Sequence, residues 1–197
     1  MADSPGSSPS EAFDAFAILG LDRALTIDDA DLNSAWKELS RTHHPDQETG
    51  DTDQSATVNR AYDLLRAPSR RLRHWLELQG IAIGRQASIE PSLMDLFSRI
   101  GPLLQEADEV LQKRSAASSA LAKALLAESE IATQQRLQDL LATLQGELAA
   151  TTDRFPTLES GTSPGNSDEA LGALARLGFL EKWQQQVQER VMNLIAG

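Results

Sequence analysis

Apolar residues recur at helical spacing in four short segments over the first eighty positions of the chain. The second and third segments carry the longest stripes, which repeat at the i, i+3, i+4 and i+7 positions of a buried helix face. These stripes are Leu32, Ala35, Trp36 and Leu39, followed by Val58, Ala61, Tyr62 and Leu65. Because the polar connection between them is short, with a loop at residues 47–53, they predict an antiparallel helical hairpin.

Short helices are predicted on both sides of this hairpin. Gly20 ends the first helix. Asp28 or Asp29 can cap the second helix, which is predicted to run to about His43. A fourth helix begins at Pro68, because proline is well tolerated in the first turn of a helix.

Helical periodicity returns after residues 80–91, which contain two glycines and a proline. Three long helices are predicted: Pro91 to about Lys113, roughly 116–150, and Asp168 onward. The first should kink or split at Gly101–Pro102, because proline removes a backbone donor and crowds the preceding turn. Residues 151–167 are predicted to form a loop from their prolines and glycines. Three amphipathic helices can bury their apolar faces only against one another, so they predict a bundle.

The composition of the 197 residues favours helix over sheet. Hydrophobic residues make up 41% and aromatic residues only 5%, while β-branched residues are sparse. The predicted fold class is therefore all-α, with a hairpin unit and short flanking helices followed by a three-helix bundle. The predicted divisions are a disordered tail at 1–10, a first domain at 11–79, a linker at 80–91 and a second domain at 92–197.

Charge and cysteine content exclude several functional classes. The formal net charge of -11 is spread over both halves, so no nucleic-acid partner is expected. The absence of cysteine excludes disulfides and thiolate metal sites, and we predict no cofactor and no bound metal. No targeting leader is evident, and no stretch approaches the ~20 apolar residues of a membrane span. We therefore expect a cytoplasmic protein that has no membrane partner.

One constellation could carry chemistry, namely residues 42–46, which read Thr-His-His-Pro-Asp. The preceding helix presents Lys37 and Arg41 one turn apart on its outer side. The two histidines and Asp46 could act as metal ligands, or as a general base with its orienting group, although adjacent histidines rarely point at one centre. Alternatively, Pro45 and Asp46 could simply form a turn. The spacing alone leaves both interpretations open.

The pattern of residues 13–79 as a whole resembles the J domain of DnaJ-like co-chaperones. The resemblance rests on the basic helix that runs into His-Pro-Asp, the loop, residues 58–65, and a proline followed by two arginines at 68–71. It implies that the His-Pro-Asp loop and the basic helix face dock on a DnaK-type ATPase, where the aspartate engages an arginine. The implied chaperone-binding residues are His44, Pro45, Asp46, Lys37 and Arg41.

The full chain resembles the HscB type of co-chaperone, which acts in iron–sulfur cluster assembly. Three further stretches carry this resemblance: residues 75–80, 93–95 and 177–183. It implies a protein without an active site of its own that brings an IscU-type scaffold to a DnaK- or HscA-type chaperone. The implied scaffold-binding residues form an exposed apolar patch: Leu93, Met94, Phe97 and Phe179.

Burial preferences leave a place in the core open for each of these four side chains. Adjacent helical positions diverge by about 100°, so Met94 is predicted to be more exposed than Leu93. Two alternatives stay open, namely a different client on the bundle and, more remotely, a histidine-dependent metalloenzyme. The zinc-binding extension of some eukaryotic relatives requires cysteines, so their absence indicates a bacterial protein.

Overall fold

A computed structural model describes residues 13–42, 52–84 and 91–196. Within these ranges the chain forms eight helices, and the all-α prediction is confirmed. The helices group into two compact units. Parts of several predictions lie outside the described residues: the tail at 1–10, His43, residues 47–51 of the loop and residues 85–90 of the linker.

In its described residues, the first unit, Met1–Leu78, contains four helices. They are α1 (Ala15–Leu19), α2 (Asp29–Thr42), α3 (Thr52–Leu65) and α4 (Pro68–Leu78). Asp28 caps α2 as predicted, since its Oδ1 accepts a hydrogen bond from the Ala30 N–H at 2.6 Å. The predicted loop extends two residues too far, because α3 already begins at Thr52. Asp53 lies in the first turn of α3, where the helix dipole favours a carboxylate.

The second unit, Gln79–Gly197, contains the predicted three-helix bundle and one additional short helix. Its elements are α5 (Pro91–Ala116), α6 (Ala120–Thr152), α7 (Phe155–Gly161) and α8 (Asp168–Ile195). Helices α5, α6 and α8 pack on one another around a common apolar core. Arg114 joins the ends of α5 and α8, because its guanidinium donates to the carbonyls of Asn193 and Leu194 at 2.6 and 2.8 Å. These carbonyls lie in the last turn of α8, where no further helical donor follows.

Of the kink or split predicted at Gly101–Pro102, the split is wrong. Helix α5 continues from Pro91 through Pro102 to Ala116. The proline costs one backbone hydrogen bond and crowds the preceding turn, at roughly 3 kcal/mol. The buried side chains of Ile100 and Ala107 lie on either side of Pro102 and hold both parts of the helix on the same core. Tertiary packing therefore outweighs the local preference.

The prediction of a loop at residues 151–167 is also wrong in part. Helix α6 continues to Thr152, and α7 occupies Phe155–Gly161 within the predicted loop. Phe155 and Leu158, three positions apart, are both buried. Pro156 lies in the first turn of α7, where a missing backbone N–H costs nothing. The helix therefore forms because its two apolar side chains have a core to enter.

Candidate functional site

Four side chains of α2 and α3 hold the hairpin together, and we call them the clasp: Asn33, Trp36, Asn59 and Tyr62. The Trp36 ring stacks on Tyr62 with 4.7 Å between centroids. The Trp36 indole N–H donates to Asn59 Oδ1 at 2.9 Å, and the Tyr62 hydroxyl donates to Asn33 Oδ1 at 2.7 Å. Because these contacts are directional, they set the rotation of α2 against α3. The face of α2 that points away from α3 is thereby defined.

The two predicted basic residues, Lys37 and Arg41, lie in the C-terminal half of α2. Both side chains are exposed and stand one helical turn apart. Arg41 lies in the last turn, where the helix dipole favours a cation. Asp31 and Glu38 are also exposed on α2, and Glu38 directly follows Lys37, so the positive charge of the basic pair is partly offset on its own helix. His44-Pro45-Asp46 lies outside the described residues, in the stretch of sequence between Thr42 and Thr52.

A buried arginine in α4 of the first unit was not predicted from the sequence. The Arg71 side chain, 6% exposed, donates from Nε to the Leu65 carbonyl at 2.7 Å and from Nη1 to the Leu25 carbonyl at 2.8 Å. Burial lowers the pKa of Arg71, and the charge of Asp29 opposes that shift. Arg71 therefore ties the end of α3 to the segment that leads into α2. Its position four residues before the buried Trp75 is the sequence signal that places it on the inner face.

A histidine also lies in this core. His74 Nε2 accepts a hydrogen bond from the Ala15 N–H at 3.0 Å, and the ring stacks on Phe16 with 5.7 Å between centroids. Burial lowers the pKa of His74, and the carboxylate of Asp14, 4.0 Å away, opposes that shift. A neutral ring is required here, because a protonated Nε2 could not accept from Ala15. Thus this histidine anchors α1 on α4.

On the second unit the predicted apolar patch divides into buried and exposed members. Leu93 is only 1% exposed and belongs to the bundle core, so its assignment to an exposed patch is wrong. Met94 is 51% exposed, as the divergence of adjacent helical positions predicted. Phe97 follows three residues later and is 49% exposed. The exposed part of the patch on α5 is therefore Met94 and Phe97.

These two side chains border an aromatic cluster that joins α5 to α8. The ring centroids of Phe97 and Phe179 each lie 5.9 Å from that of Trp183. Trp183 is buried, whereas Phe179 is half-buried and packs against the core. Trp183 is not among the residues predicted for the patch, although it contacts two of them. The surface formed by Met94, Phe97 and Phe179, supported from below by Trp183, is called the apolar surface below.

A separate groove lies between α5 and α6, with a volume of about 410 Å³. Its polar wall holds Glu106, which accepts from the Arg136 guanidinium through both carboxylate oxygens and from the Thr133 hydroxyl at 3.2 Å. These hydrogen bonds lower the pKa of Glu106. Because Glu106 and Arg136 neutralise each other, this pair is best explained as a link between the two helices.

Metal-binding and membrane-spanning features can be assessed within the described residues. There, no group of three or more histidine, cysteine, aspartate or glutamate side chains could hold a metal ion. His43, His44 and Asp46, on which the metalloenzyme hypothesis rests, lie outside these residues, so that hypothesis stays an untested prediction. None of the described helices combines the length and the apolarity that crossing a bilayer requires.

Residues 14–74, which include the clasped hairpin of α2 and α3, match the DnaJ domain family. This part of the chain is therefore a J domain.

Similarity to known proteins extends beyond the J domain, over about nine tenths of the chain. The HscB co-chaperone homologue of Ralstonia nicotianae is 29% identical over 91% of this chain and 94% of its own length. The HscB co-chaperone of Proteus mirabilis is 28% identical over 93% and 99%. The solved structure of HscB from Vibrio cholerae shares the fold, with a TM-score of 0.51 at 21% identity over 89% of this chain and 95% of that one. The resemblance to HscB-type co-chaperones is confirmed.

Proposed function

We propose that this protein stimulates the ATPase of a DnaK- or HscA-type chaperone and brings an IscU-type iron–sulfur scaffold to it, without catalysing a reaction itself. The observation that carries the proposal is the exposed pair Lys37 and Arg41 on the clasped hairpin of a J domain, directly before His44-Pro45-Asp46 in the sequence. Similarity to HscB co-chaperones over nine tenths of the chain supports the scaffold part.

The two groups of charges have different roles in the proposal. The carboxylate of Asp46 accepts a charge-assisted hydrogen bond from an arginine of the chaperone, worth about 1.5 to 3 kcal/mol. Pro45 restricts its own backbone, which lowers the entropy lost when that carboxylate is fixed in the complex. Lys37 and Arg41 accelerate the encounter with an acidic surface, because exposed charges act mainly on the association rate.

The basic pair provides a direct test on described residues. We expect the double variant Lys37→Glu/Arg41→Glu to need about tenfold more protein for half-maximal stimulation of the chaperone ATPase at low salt. The difference from wild type should shrink when the ionic strength is raised from ~0.1 to ~1 M, since the screening length falls from about 10 to 3 Å. The measurement is steady-state ATP hydrolysis against co-chaperone concentration at both ionic strengths.

A matched control is Arg70→Glu/Arg73→Glu, which makes the same change of charge at two exposed positions on α4. It should stimulate like wild type. Equal losses in the two double variants would mean that only net charge matters, and the assignment of the basic face of α2 would then be wrong.

The scaffold part of the proposal rests on the apolar surface. Met94 and Phe97 are half exposed beside a buried tryptophan, and exposed apolar patches on soluble proteins commonly mark interfaces. Aromatic and methionine side chains are also enriched at the centres of such interfaces. The bundle therefore offers a partner a preformed apolar contact, with Trp183 as its rigid support.

We expect Met94→Asp to weaken binding of the IscU-type scaffold by about thirtyfold, or about 2 kcal/mol, because the new carboxylate must be desolvated in an apolar contact. Titration calorimetry with purified scaffold protein measures the change. Met192→Asp is the control, since Met192 is 64% exposed near the other end of α8. It should bind like wild type.

The alternative client gives a different result in this titration. If the wild-type protein stimulates the chaperone but does not bind the scaffold, the bundle serves another client and the scaffold part of the proposal fails. If the scaffold binds and both methionine variants retain the affinity, the contact lies elsewhere on the chain.

A further inference from the structure

His74 of α4 is a buried titratable side chain to which the proposed function gives no role. It is 5% exposed, and its Nε2 accepts the hydrogen bond from the Ala15 N–H described above. Its ring stacks on Phe16, which is fully buried. Both contacts join α4 to α1, a helix of only five residues. Because so short a helix is not stable by itself, α1 depends on such tertiary contacts.

A carboxylate lies beside the same nitrogen of the ring. Asp14 Oδ1 is 4.0 Å from His74 Nε2. This oxygen already caps α1, because it accepts the N–H groups of Phe16 and Ala17 at 3.0 and 3.2 Å. The other oxygen of Asp14 accepts from Arg23 Nε at 2.7 Å. A proton on His74 would therefore compete for an acceptor that α1 already uses.

The charges around His74 come from every element packed near it and act in opposite directions. Burial has the largest effect and lowers the pKa of the ring. The carboxylates of Asp14, before α1, and Glu77, on α4 itself, oppose that shift. The guanidinium groups of Arg23, after α1, and Arg60, on α3, reinforce it. The ring is therefore neutral at neutral pH, as its hydrogen bond requires.

We propose that protonation of His74 releases α1 from α4, so that the contact between His74 and Ala15 is an acid-sensitive latch. The imidazolium cannot accept the Ala15 N–H, and the two N–H groups then point at each other across the 3.0 Å contact. To reach Asp14, the ring has to leave its stack on Phe16 and compete with the cap of α1. Release exposes Phe16 and Leu19, which are buried while the latch is closed.

The latch opens in the direction of falling pH. A histidine in the detached state has a pKa of about 6.5, whereas the pKa of the buried ring is lower. Above about pH 6.5 both states are neutral, and the contact contributes fully to stability. Below that value only the open state takes up the proton, so opening becomes about tenfold more frequent per pH unit until the pKa of the closed state is reached.

Hydrogen exchange at the Ala15 amide, followed by NMR on the full-length protein, tests this directly. The protection factor, which corrects for the intrinsic effect of pH on exchange, should fall several- to about tenfold between about pH 7.5 and about pH 5.5. The imidazole resonances of His74 should titrate below about pH 6.5. His74→Gln should remove the pH dependence, since its Oε1 can accept the Ala15 N–H but takes up no proton in this range.

The matched control is His43→Gln/His44→Gln, which removes the other two histidines of the chain and should keep the pH dependence. Because His74 is then the only histidine, this variant decides the question even if His74→Gln is unstable at every pH. A protection factor that does not change with pH in this variant would show that the latch is wrong.

A dependence on pH that persists in His74→Gln would overturn the proposal as well, because another group would then be responsible. The same holds if His74 titrates at or above about pH 6.5 while the Ala15 amide stays protected, since Asp14 would then hold the protonated ring in place. These measurements use neither the chaperone nor the scaffold, so their outcome leaves the proposed function unchanged.

Discussion

The Arg71→Met variant is expected to lose about 3 to 6 kcal/mol of stability in the first unit, because the buried guanidinium donates two hydrogen bonds to backbone carbonyls and each hydrogen bond to a charged group contributes about 1.5 to 3 kcal/mol. Methionine fills a similar volume but cannot donate. The Leu65 carbonyl at the end of α3 and the Leu25 carbonyl before α2 would both lose the donor described above. Arg71→Lys keeps the charge but cannot span both carbonyls with a planar fork, so its loss should be intermediate.

Hydrogen exchange read by mass spectrometry measures this effect in each unit separately. Amides of α3 and α4 should exchange faster in Arg71→Met, whereas those of α8 should not change. Arg70→Met, at the exposed neighbouring position, should change stability by no more than about 0.5 kcal/mol. Equal protection of α3 and α4 in both variants would show that the buried guanidinium contributes little, and that the packing of Leu72 and Trp75 carries this part of the core.

The hairpin helices could be predicted from the sequence because their apolar residues repeat at one period, and because caps such as Asp28 mark a boundary. The predictions of a loop at residues 151–167 and of a split at Pro102 were wrong because the burial of a few apolar side chains outweighed the local signals from proline and glycine. In α7, Phe155 and Leu158 form a single apolar pair amid prolines and glycines, too short a pattern to outweigh local turn signals. At Pro102 the local rule is correct about the cost of the proline, but it cannot include the burial of Ile100 on the bundle core.

The candidate sites could be predicted from the sequence where helix geometry alone decides exposure, but not where the partner of a side chain is distant in the sequence. Exposure of Met94 beside a buried Leu93 follows from helix geometry alone. Arg71 and His74 could not be recognised as core residues so simply, because their partners are backbone groups of distant segments. The spacing of apolar residues does not indicate that Arg71 will contact the Leu25 carbonyl or that His74 will contact the Ala15 N–H, because these groups come together only when the chain has folded. Polar residues inside a small core are therefore the least predictable part of this unit.

Replacing His44 or Asp46 is expected to abolish most of the stimulation of the chaperone ATPase. Asp46→Asn keeps the side-chain shape but removes the charge. The proposed bond to the chaperone arginine then loses about 1.5 to 3 kcal/mol, which corresponds to a factor of roughly 10 to 150 in the equilibrium constant for that contact. His44→Gln should reduce stimulation on the order of tenfold, as the resemblance to the J domain implies. The neighbouring His43→Gln, to which the resemblance gives no role, is the matched control and should stimulate like wild type.

The shape of the stimulation curve separates these variants from the basic-face variant. Lys37 and Arg41 act on the encounter, so their charge reversal should be overcome at high co-chaperone concentration or high salt. Asp46 is proposed to act after docking, where its contact couples binding to hydrolysis. The maximal stimulated rate should therefore stay low in Asp46→Asn at any concentration. If Asp46→Asn instead reaches the wild-type maximum, the carboxylate only adds affinity, and coupling to hydrolysis must be assigned to another part of the J domain.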